Sequence, residues 1–480
     1  MRKLFLILIY FQIGNCVISA QSLFTRTYGA FGEFNVGQSV VTSFDGGYVF
    51  LGSTGGWGAV NGDMALVKTD TLGNTLWEHV YGNEYTEQGI SLKKVTDGGF
   101  ILTGITNEGS DGDYNIRVVR VDSSGEEVWT KTFGSSAWEI VEEVIELSDG
   151  GFAIAASTYE EPFPSGTFYL IKIDSEGNVV WENKFPDGNS NKVGGLDELS
   201  DGSLFIGGTG IQDGHLDTDM LLVKYSSQGQ IIWSNYYGDI QNEAIIDITH
   251  SPESRICLAG NKTQNEGNTR EILLLVDTAG VVTNINDFDS PRMIDVKSVS
   301  YSPSDSSFII AANHISDIET RATIYKFDNF LYFLCYASAN SIKNSYIGEA
   351  VITDDAHIVL NGTYDFVGPG LSSFFLMKTT LTCDANLNVI IGMEENSMNN
   401  SDNLKAFPNP SSGCFSLLVD KAPDFIELID LTGKSIPLNS NMQEGVFTID
   451  AGSVAAGMYI LKSRAKQNSP INYQSIIISR

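Results

Sequence analysis

Short apolar runs alternate with turn residues along most of the chain, and none of the runs shows a helical period. The first complete set covers residues at about 36–43, 48–53, 64–69 and 75–81. These runs are rich in Val, Ile, Leu, Phe and Tyr and are bounded by Gly and Asp, which is typical of β-strands joined by tight turns. We name the four predicted strands a, b, c and d.

This set of four strands recurs at a step of about 52 residues. An Asp-Gly-Gly-aromatic turn between a and b occurs at Asp45, Asp97 and Asp149, and weaker copies follow at Asp201, Glu253, Asp305 and Asp355. A second ladder, mostly basic, lies in strand c: Lys68, Arg120, Lys172, Lys224, Val276, Lys326 and Lys378. A third lies in strand d: Trp77, Trp129, Trp181, Trp233, Ile285, Cys335 and Leu387. Seven copies of four strands predict an all-β fold, a seven-bladed β-propeller over residues 21–383.

Two structural expectations follow from this repeat. The ladder Trp is a packing residue between blades, so we expect Trp129 to be buried. Residues 24–29 match the d-strand segment 77–82, so we expect the N-terminal strand to complete the seventh blade and remove its open edge. A rival segment with Ile391 and Gly392 stands in the same register.

The N-terminus has the features of an export signal. Arg2 and Lys3 precede an apolar run at 4–13, and small residues end at Ala20. We therefore predict a signal peptide over 1–20, cleaved before Gln21. The apolar run is too short to cross a bilayer and no other long one occurs, so we predict no membrane insertion.

The charge balance excludes some partners. There are 29 Lys+Arg against 59 Asp+Glu, for a formal charge of −30. Without a basic patch, nucleic acid and anionic membrane surfaces are excluded as partners. The cysteines show no CxxC spacing, which disfavours zinc, and a bridge between Cys335 and Cys383 stays open.

Two loops between strands b and c offer metal-ligand candidates. Asp111, Asp113 and Asn115 occupy alternate positions, as the first ligands of an EF-hand calcium loop do. The following Gly and the distal Glu of such a loop are missing. Asp217 and Asp219 accompany His215, which is the histidine that stands among carboxylates. Asp and Asn are expected in such loops as turn formers, so we favour no cofactor, with calcium as the alternative.

The sequence contains no recognisable catalytic set. The residues around Gln38, Gly89, Val141, Gly194 and Ala244, in the predicted innermost strands a, are mostly small or apolar. We therefore favour a non-enzymatic binding or scaffold protein with an unknown protein or glycan ligand. Its predicted binding face carries the variable, acidic d–a and b–c loops. The alternative is a secreted polysaccharide hydrolase or lyase with its site at the channel mouth.

The copies up to residue 380 resemble the DGGF/DGGY-type propeller repeats that are common in secreted proteins of Bacteroidota. The turn with Asp70, Gly73 and Trp77 is also similar to the tryptophan-docking turn of quinoprotein-type propellers. We interpret this similarity as shared packing and not as a shared cofactor.

A polar, Asn-rich linker is predicted at 384–403, followed by a small immunoglobulin-like β-sandwich at 404–480. Three motifs mark this domain: Pro408, Asn409, Pro410 and Gly413; then Asp430, Gly433 and Lys434; then Gly457 and Tyr459. They resemble those of the type A C-terminal sorting domain of the type IX (Por) secretion system of Bacteroidota. The resemblance implies the type IX machinery as partner. It also implies passage through the periplasm and a final location in the medium or on the outer-membrane surface.

Overall fold

The structure is a computed structural model, and it contains strands and no helix among the residues it describes. No helix that could span a membrane occurs in that part of the chain. The described residues are 24–29, 34–59, 62–108, 114–160, 166–186, 191–263, 269–287, 293–316, 320–338, 345–365, 372–380, 391–393, 406–407, 414–418, 425–430, 434–443, 446–450, 457–464 and 472–478.

Six antiparallel sheets of four strands follow one another along the chain as blades 1 to 6, each in the order a, b, c, d. The strands of blades 1 to 3 are β2 (Asn35–Thr42), β3 (Tyr48–Thr54), β4 (Asp63–Thr69), β5 (Thr75–Tyr81), β6 (Glu87–Lys94), β7 (Phe100–Thr106), β8 (Asn115–Val121), β9 (Glu127–Phe133), β10 (Trp138–Glu146), β11 (Phe152–Tyr159), β12 (Gly166–Ile173) and β13 (Val179–Lys184). The strands of blades 4 to 6 are β14 (Lys192–Glu198), β15 (Leu204–Gly210), β16 (Asp219–Tyr225), β17 (Ile231–Tyr237), β18 (Asn242–His250), β19 (Ile256–Thr263), β20 (Thr269–Val276), β21 (Val282–Asp287), β22 (Met293–Ser302), β23 (Ser307–Ile315), β24 (Thr320–Asp328) and β25 (Phe333–Ser338).

The seventh blade closes the ring with both ends of the repeat region. Its strands a to c are β26 (Ser345–Ile352), β27 (His357–Asp365) and β28 (Ser372–Thr380), and its strand d is the N-terminal β1 (Phe24–Tyr28). Phe24 pairs with Lys378 and Tyr28 with Phe374 in an antiparallel register. The prediction that the N-terminal strand completes this blade is confirmed. The rival segment forms β29 (Ile391–Met393), which adds to β1 in parallel as a fifth strand.

The a strands are innermost. Each contacts the a strands of its two neighbours, and β2 of blade 1 contacts β26 of blade 7, so the seven strands form a closed ring. Apolar cores lie between adjacent blades: Leu51 and Leu66 of blade 1 cluster with Leu102 and Val119 of blade 2. This arrangement agrees with the predicted seven-bladed propeller.

The first two sequence ladders are the two partners of one ion pair. In blade 1 the Lys68 ammonium lies 2.7 Å from Asp45, and the Gly47 N–H donates to the same carboxylate. Gly46, between Asp45 and Gly47, has a φ of +82°, a backbone conformation in which a residue with a side chain would be strained. The same pair closes the a–b turn in four further blades: Arg120 with Asp97, Lys172 with Asp149, Lys326 with Asp305, and Lys378 with Asp355.

The ladder Trp links neighbouring blades as predicted, but its predicted burial is wrong. Trp129 is half-buried, because strand d is the outer strand of its blade. Its ring lies against Gly177 in the c–d turn of blade 3, and its indole N–H donates to the Ser175 carbonyl there (3.2 Å). Trp181 makes the same contact with the turn of blade 4, at Ser227 (3.3 Å).

The C-terminal region contains two antiparallel sheets of four strands. One sheet consists of β30 (Ala406–Phe407), β31 (Cys414–Leu418), β34 (Asn439–Gln443) and β35 (Val446–Asp450). The other consists of β32 (Phe425–Asp430), β33 (Ser435–Ile436), β36 (Gly457–Arg464) and β37 (Asn472–Ile478). The all-β character is confirmed, whereas the immunoglobulin-like sandwich stays a prediction.

Candidate functional site

Each innermost strand contains a β-bulge at the same place. In blade 3 the register shifts between Val141 and Glu143, and in blade 5 between Ile245 and Asp247. A bulge redirects the side chain that follows it, so the seven residues after the bulges form one layer around the channel. This layer consists of Ser39, Ser91, Glu143, Gly195, Asp247, Ser298 and Glu349.

Side chains of this layer connect six of the seven blades to the next blade. The Leu92 N–H donates to Ser39 Oγ (3.1 Å), and the Leu196 N–H donates to Glu143 Oε2 (2.7 Å). Ser91, Asp247 and Ser298 accept in the same way from Val144, Val299 and Ala350. Glu349 closes the circle by accepting from the Val40 N–H of blade 1 (3.1 Å). The layer is therefore a ring of hydrogen bonds that joins the blades around the channel.

Blade 4 is the exception in this ring of hydrogen bonds. Gly195 has no side chain to accept a hydrogen bond, and a Cβ built there would lie 2.8 Å from the Ile248 nitrogen. The Ile248 N–H donates instead to Asp247 Oδ1 (2.8 Å). Asp247 thus accepts from two backbone N–H groups, one in its own strand and one in the next blade.

One lysine lies among the three carboxylates of the layer. The Lys93 ammonium is 2.9 Å from Glu143 Oε1 and 3.6 Å from Glu349 Oε1. Burial by itself lowers the pKa of Lys93, but Glu143 and Glu349 outweigh it and raise the pKa above its usual range. Lys93 is therefore held in its charged form.

The carboxylates outnumber the ammonium, and this excess affects their pKa values. Burial raises the pKa of Glu143, although Lys93 partly opposes the increase. Burial and the neighbouring Glu143 raise the pKa of Asp247 well above its usual value. Both shifts have the same physical cause, because like charges in a desolvated site disfavour ionisation.

A cavity of about 500 Å³ lies on the a–b side of this layer. Its walls include Lys93, Glu143, Asp247 and Glu349, together with Asp197 and Tyr301. The lining residues Lys94, Glu146 and Glu198 lie at the ends of their a strands, next to the a–b turns. The cavity therefore lies on the side of the short repeated turns, opposite to the loops predicted as the binding face.

This site was missed from the sequence. The prediction that the innermost residues are mostly small or apolar is wrong at Lys93, Glu143, Asp247 and Glu349. The five strand-a positions on which that prediction rests lie before or within the bulges, and the charged residues follow the bulges by one or more positions. The signal was available as a further ladder at the same step, from Ser91 through Glu143 to Asp247.

The metal candidates have different outcomes. Asp111 and Asp113 lie outside the described residues, and Asn115 is buried against Gly134 at the start of β8. The structure brings Asp217 and Asp219 together with His215, within 4.8 Å of one another. Cys335 is disulfide-bonded and Cys257 is a buried free thiol.

The sorting-motif residues that the structure describes lie on one sheet or next to it. Asp430 and Tyr459 are register partners across β32 and β36, and Gly457 begins β36. Lys434 is exposed just before β33. The remaining predicted positions lie outside the described residues: Pro408, Asn409, Pro410, Gly413 and Gly433, and the cleavage residues Ala20 and Gln21.

Comparison with known proteins identifies the C-terminal region. Residues 405–479 match the family of secretion system C-terminal sorting domains, the Por secretion tail. This match indicates export through the type IX secretion system, out of the cell or to its surface. No curated protein matches the chain.

Similar solved structures support the propeller fold alone. A puromycin hydrolase is 13% identical with a TM-score of 0.50, covering 81% of this chain and 59% of its own. A mutant of puromycin hydrolase is 12% identical with a TM-score of 0.51, covering 80% and 58%. Sqt1 from Chaetomium thermophilum is 12% identical with a TM-score of 0.42, covering 75% of this chain and 98% of its own, and this lower score carries no argument about the fold. The chain therefore spans less than two thirds of the hydrolase structures.

Proposed function

We propose that this chain is an exported, non-enzymatic binding protein. Its propeller, at 21–383, takes up a ligand at the a–b mouth of the central channel. In this proposal residues 1–20 are a signal peptide, 384–403 a linker and 404–480 an immunoglobulin-like sorting sandwich that the type IX machinery recognises. The mature protein then acts in the medium or at the cell surface.

The observation that carries this proposal is the use of the channel carboxylates. Glu143, Asp247 and Glu349 each accept a backbone N–H from the next blade, as serines do elsewhere in the ring. Groups held in this way are fixed in place, since moving one leaves a backbone N–H without a partner. This geometry favours binding over acid–base catalysis.

The charge of the cavity suggests the class of ligand. Three carboxylates face one ammonium in the layer, and Asp197, Glu146 and Glu198 add to the wall. A ligand that presents a cationic group, such as a basic peptide segment, would neutralise this excess. Because the raised pKa values of Glu143 and Asp247 oppose ionisation, binding of the cation should strengthen as the pH rises.

A polysaccharide hydrolase is the second candidate, and the same two residues favour it. A carboxyl group with a raised pKa can serve as a general acid, with a second carboxylate nearby as base or nucleophile. Glu143 and Asp247 have raised pKa values and both line the cavity. In this alternative Asp247 or Glu143 would donate the proton to the leaving group.

One pair of variants separates the two candidates. The intact protein is applied to arrays of basic peptides and of glycans, and polysaccharide hydrolysis is followed by reducing-sugar release. Asp247→Asn should weaken peptide capture at least about tenfold, and Glu176→Gln, an exposed change on an outer turn, should leave it unchanged. Sugar release that Asp247→Asn abolishes would support the hydrolase instead. If both variants captured basic peptides as well as the wild type does, the channel would not be the binding site and the proposal would be wrong.

A further inference from the structure

A second polar cluster lies on the opposite side of the ring, in the b–c loop of blade 4. His215 Nδ1 and Asp219 Oδ2 are 3.8 Å apart, and a carboxylate oxygen of Asp217 lies within 4.8 Å of both. His215 is about half exposed, whereas Asp219 is 3% exposed. The cluster is thus open to solvent on the histidine side and closed on the Asp219 side.

The buried carboxylate has an oxygen that the fold does not satisfy. Asp219 Oδ2 is inaccessible to solvent and has no hydrogen-bond partner among the described residues, and the same holds for Asp217 Oδ2. The other oxygen, Asp219 Oδ1, lies against Gly238, where an added Cβ would come within 2.0 Å. Asp219 Oδ2 is therefore the oxygen that faces His215. A buried carboxylate oxygen without a partner is costly, which is why such groups are usually paired or bound to a metal.

The loop that carries these groups is fastened to the next blade. The Thr218 N–H donates to the Asn242 side chain (2.9 Å), and the Glu243 N–H donates to the Thr218 carbonyl (2.7 Å). Asp217 and Asp219 flank Thr218, so both are attached directly to the residue that is held. The hydrogen bonds of the Thr218 backbone thus set the positions of Asp217 and Asp219, whereas the tip of the loop at Leu216 is exposed.

We propose that His215, Asp217 and Asp219 bind one divalent transition-metal ion of the Zn²⁺ class. The imidazole nitrogen selects a first-row ion over Ca²⁺, which prefers a shell of six to eight oxygens. The three residues supply one imidazole nitrogen and two carboxylates. Three is the number of protein ligands found in open zinc sites. The His215–Asp219 distance is 3.8 Å and the other two separations are at most 4.8 Å, so the three groups must close by roughly 1 Å to reach zinc–ligand geometry.

This site is independent of the channel. The b–c loops lie at the opposite end of the blades from the a–b turns, and none of the three residues lines the channel cavity. A metal here would hold together three residues of the blade 4 b–c loop, which is itself hydrogen-bonded to the start of blade 5. The ion would therefore stabilise one part of the variable face, whatever the channel binds.

Calorimetric titration of the intact protein with Zn²⁺, and separately with Ca²⁺, tests this proposal. We expect one Zn²⁺ equivalent that is weakened at least about tenfold by His215→Ala and by Asp219→Asn. Asp213→Asn is the matched control, an exposed carboxylate in the same loop, and should leave the affinity unchanged. Zn²⁺ should also raise the melting temperature of the wild type and not that of His215→Ala.

His215→Ala keeps the test interpretable, because truncating a half-exposed side chain should not prevent folding even if Asp219→Asn does. The proposal is overturned if the intact protein binds no Zn²⁺, or if His215→Ala binds it as tightly as the wild type does. Ca²⁺ binding that is as tight as Zn²⁺ binding would overturn the assigned class of ion.

Discussion

The Lys378 ammonium lies 2.9 Å from the Asp355 carboxylate, and the lysine side chain is almost completely buried in the blade that closes the ring. The ammonium also lies over the Tyr48 ring of blade 1, 5.7 Å from its centroid. Burial lowers the pKa of Lys378, but hydrogen bonds to Tyr48 and Asp355 outweigh it and raise the pKa. This residue therefore connects the last turn of the repeat with its first blade.

Removing the acidic partner of this pair should be costly. Asp355→Asn leaves the buried Lys378 charge without its carboxylate, so we expect a loss of about 3 kcal/mol in the free energy of unfolding. Asp201→Asn is the control at the same ladder position, because Lys224 of that blade hydrogen-bonds the Thr278 carbonyl of the next blade instead. Urea denaturation of both variants measures the difference. Equal losses would mean that the pair is not what stabilises the closing blade.

The acidic members of the ladder also predict the acid limit of stability. Partial burial acts to raise the pKa of Asp45, but hydrogen bonds from Lys68, Ser43 and Gly47 outweigh it and lower the pKa to about 2, from an ordinary value of 3.8. A depressed folded-state pKa contributes stability that is present above the unfolded value and is lost as the pH falls. The free energy of unfolding should therefore decrease between about pH 4 and pH 2.

Denaturation curves at intervals between pH 5 and pH 2 check this window. High salt should reduce this loss of unfolding free energy. The Asp45 side chain is half exposed, so salt screens its attraction to Lys68. A protein whose stability is flat over this range would contradict the ion-pair explanation of the ladder.

Glu271 predicts the opposite dependence at higher pH. Both of its carboxylate oxygens are buried without a hydrogen-bond partner among the described residues, and burial raises its pKa to about 7, from 4.5. The folded state thus keeps a proton that the unfolded chain releases, so the contribution of Glu271 to stability is fully present below pH 4.5 and is lost as the pH rises through 7. The shift corresponds to roughly 3 kcal/mol at most.

Glu271→Gln should remove most of this slope and stabilise the protein at pH 8. Thermal or urea denaturation at pH 5 and pH 8 measures the effect, with Glu176→Gln as an exposed control. The result would be negative if the two variants changed the pH 8 stability equally.

The sequence ladders predicted these contacts to different degrees. The Asp and Lys ladders recur at one step and lie at opposite ends of adjacent strands, so their pairing follows from a hairpin and needs no knowledge of the ring. Glu143, Asp247 and Glu349 come from blades 3, 5 and 7, and only closure of the ring brings them to Lys93. The bulge shifts the register by one residue, so strict alternation places the wrong side chains in the channel.

The contact of Trp129 with the next blade can be measured directly. Trp129→Ala removes a half-buried ring from Gly177 and a hydrogen bond to Ser175, so we expect a loss of about 2–3 kcal/mol, below that of a fully buried aromatic residue. Val128→Ala changes the exposed neighbour on the same strand and should cost less than about 1 kcal/mol. A Trp129→Ala loss no larger than that of Val128→Ala would show that the contact contributes nothing.

Deleting residues 404–480 should separate export from folding. The ring of the propeller closes through β1 and β28, both outside the deleted segment, so the truncated propeller should still unfold cooperatively. It should remain in the periplasm of a host with the type IX machinery, because the region that matches the sorting family is gone. Fusing the same residues, with a signal peptide, to an unrelated folded protein should send that protein to the surface or the medium. Fractionation and immunoblotting locate each protein, and a truncated chain that reaches the outside in normal amounts would contradict the sorting role.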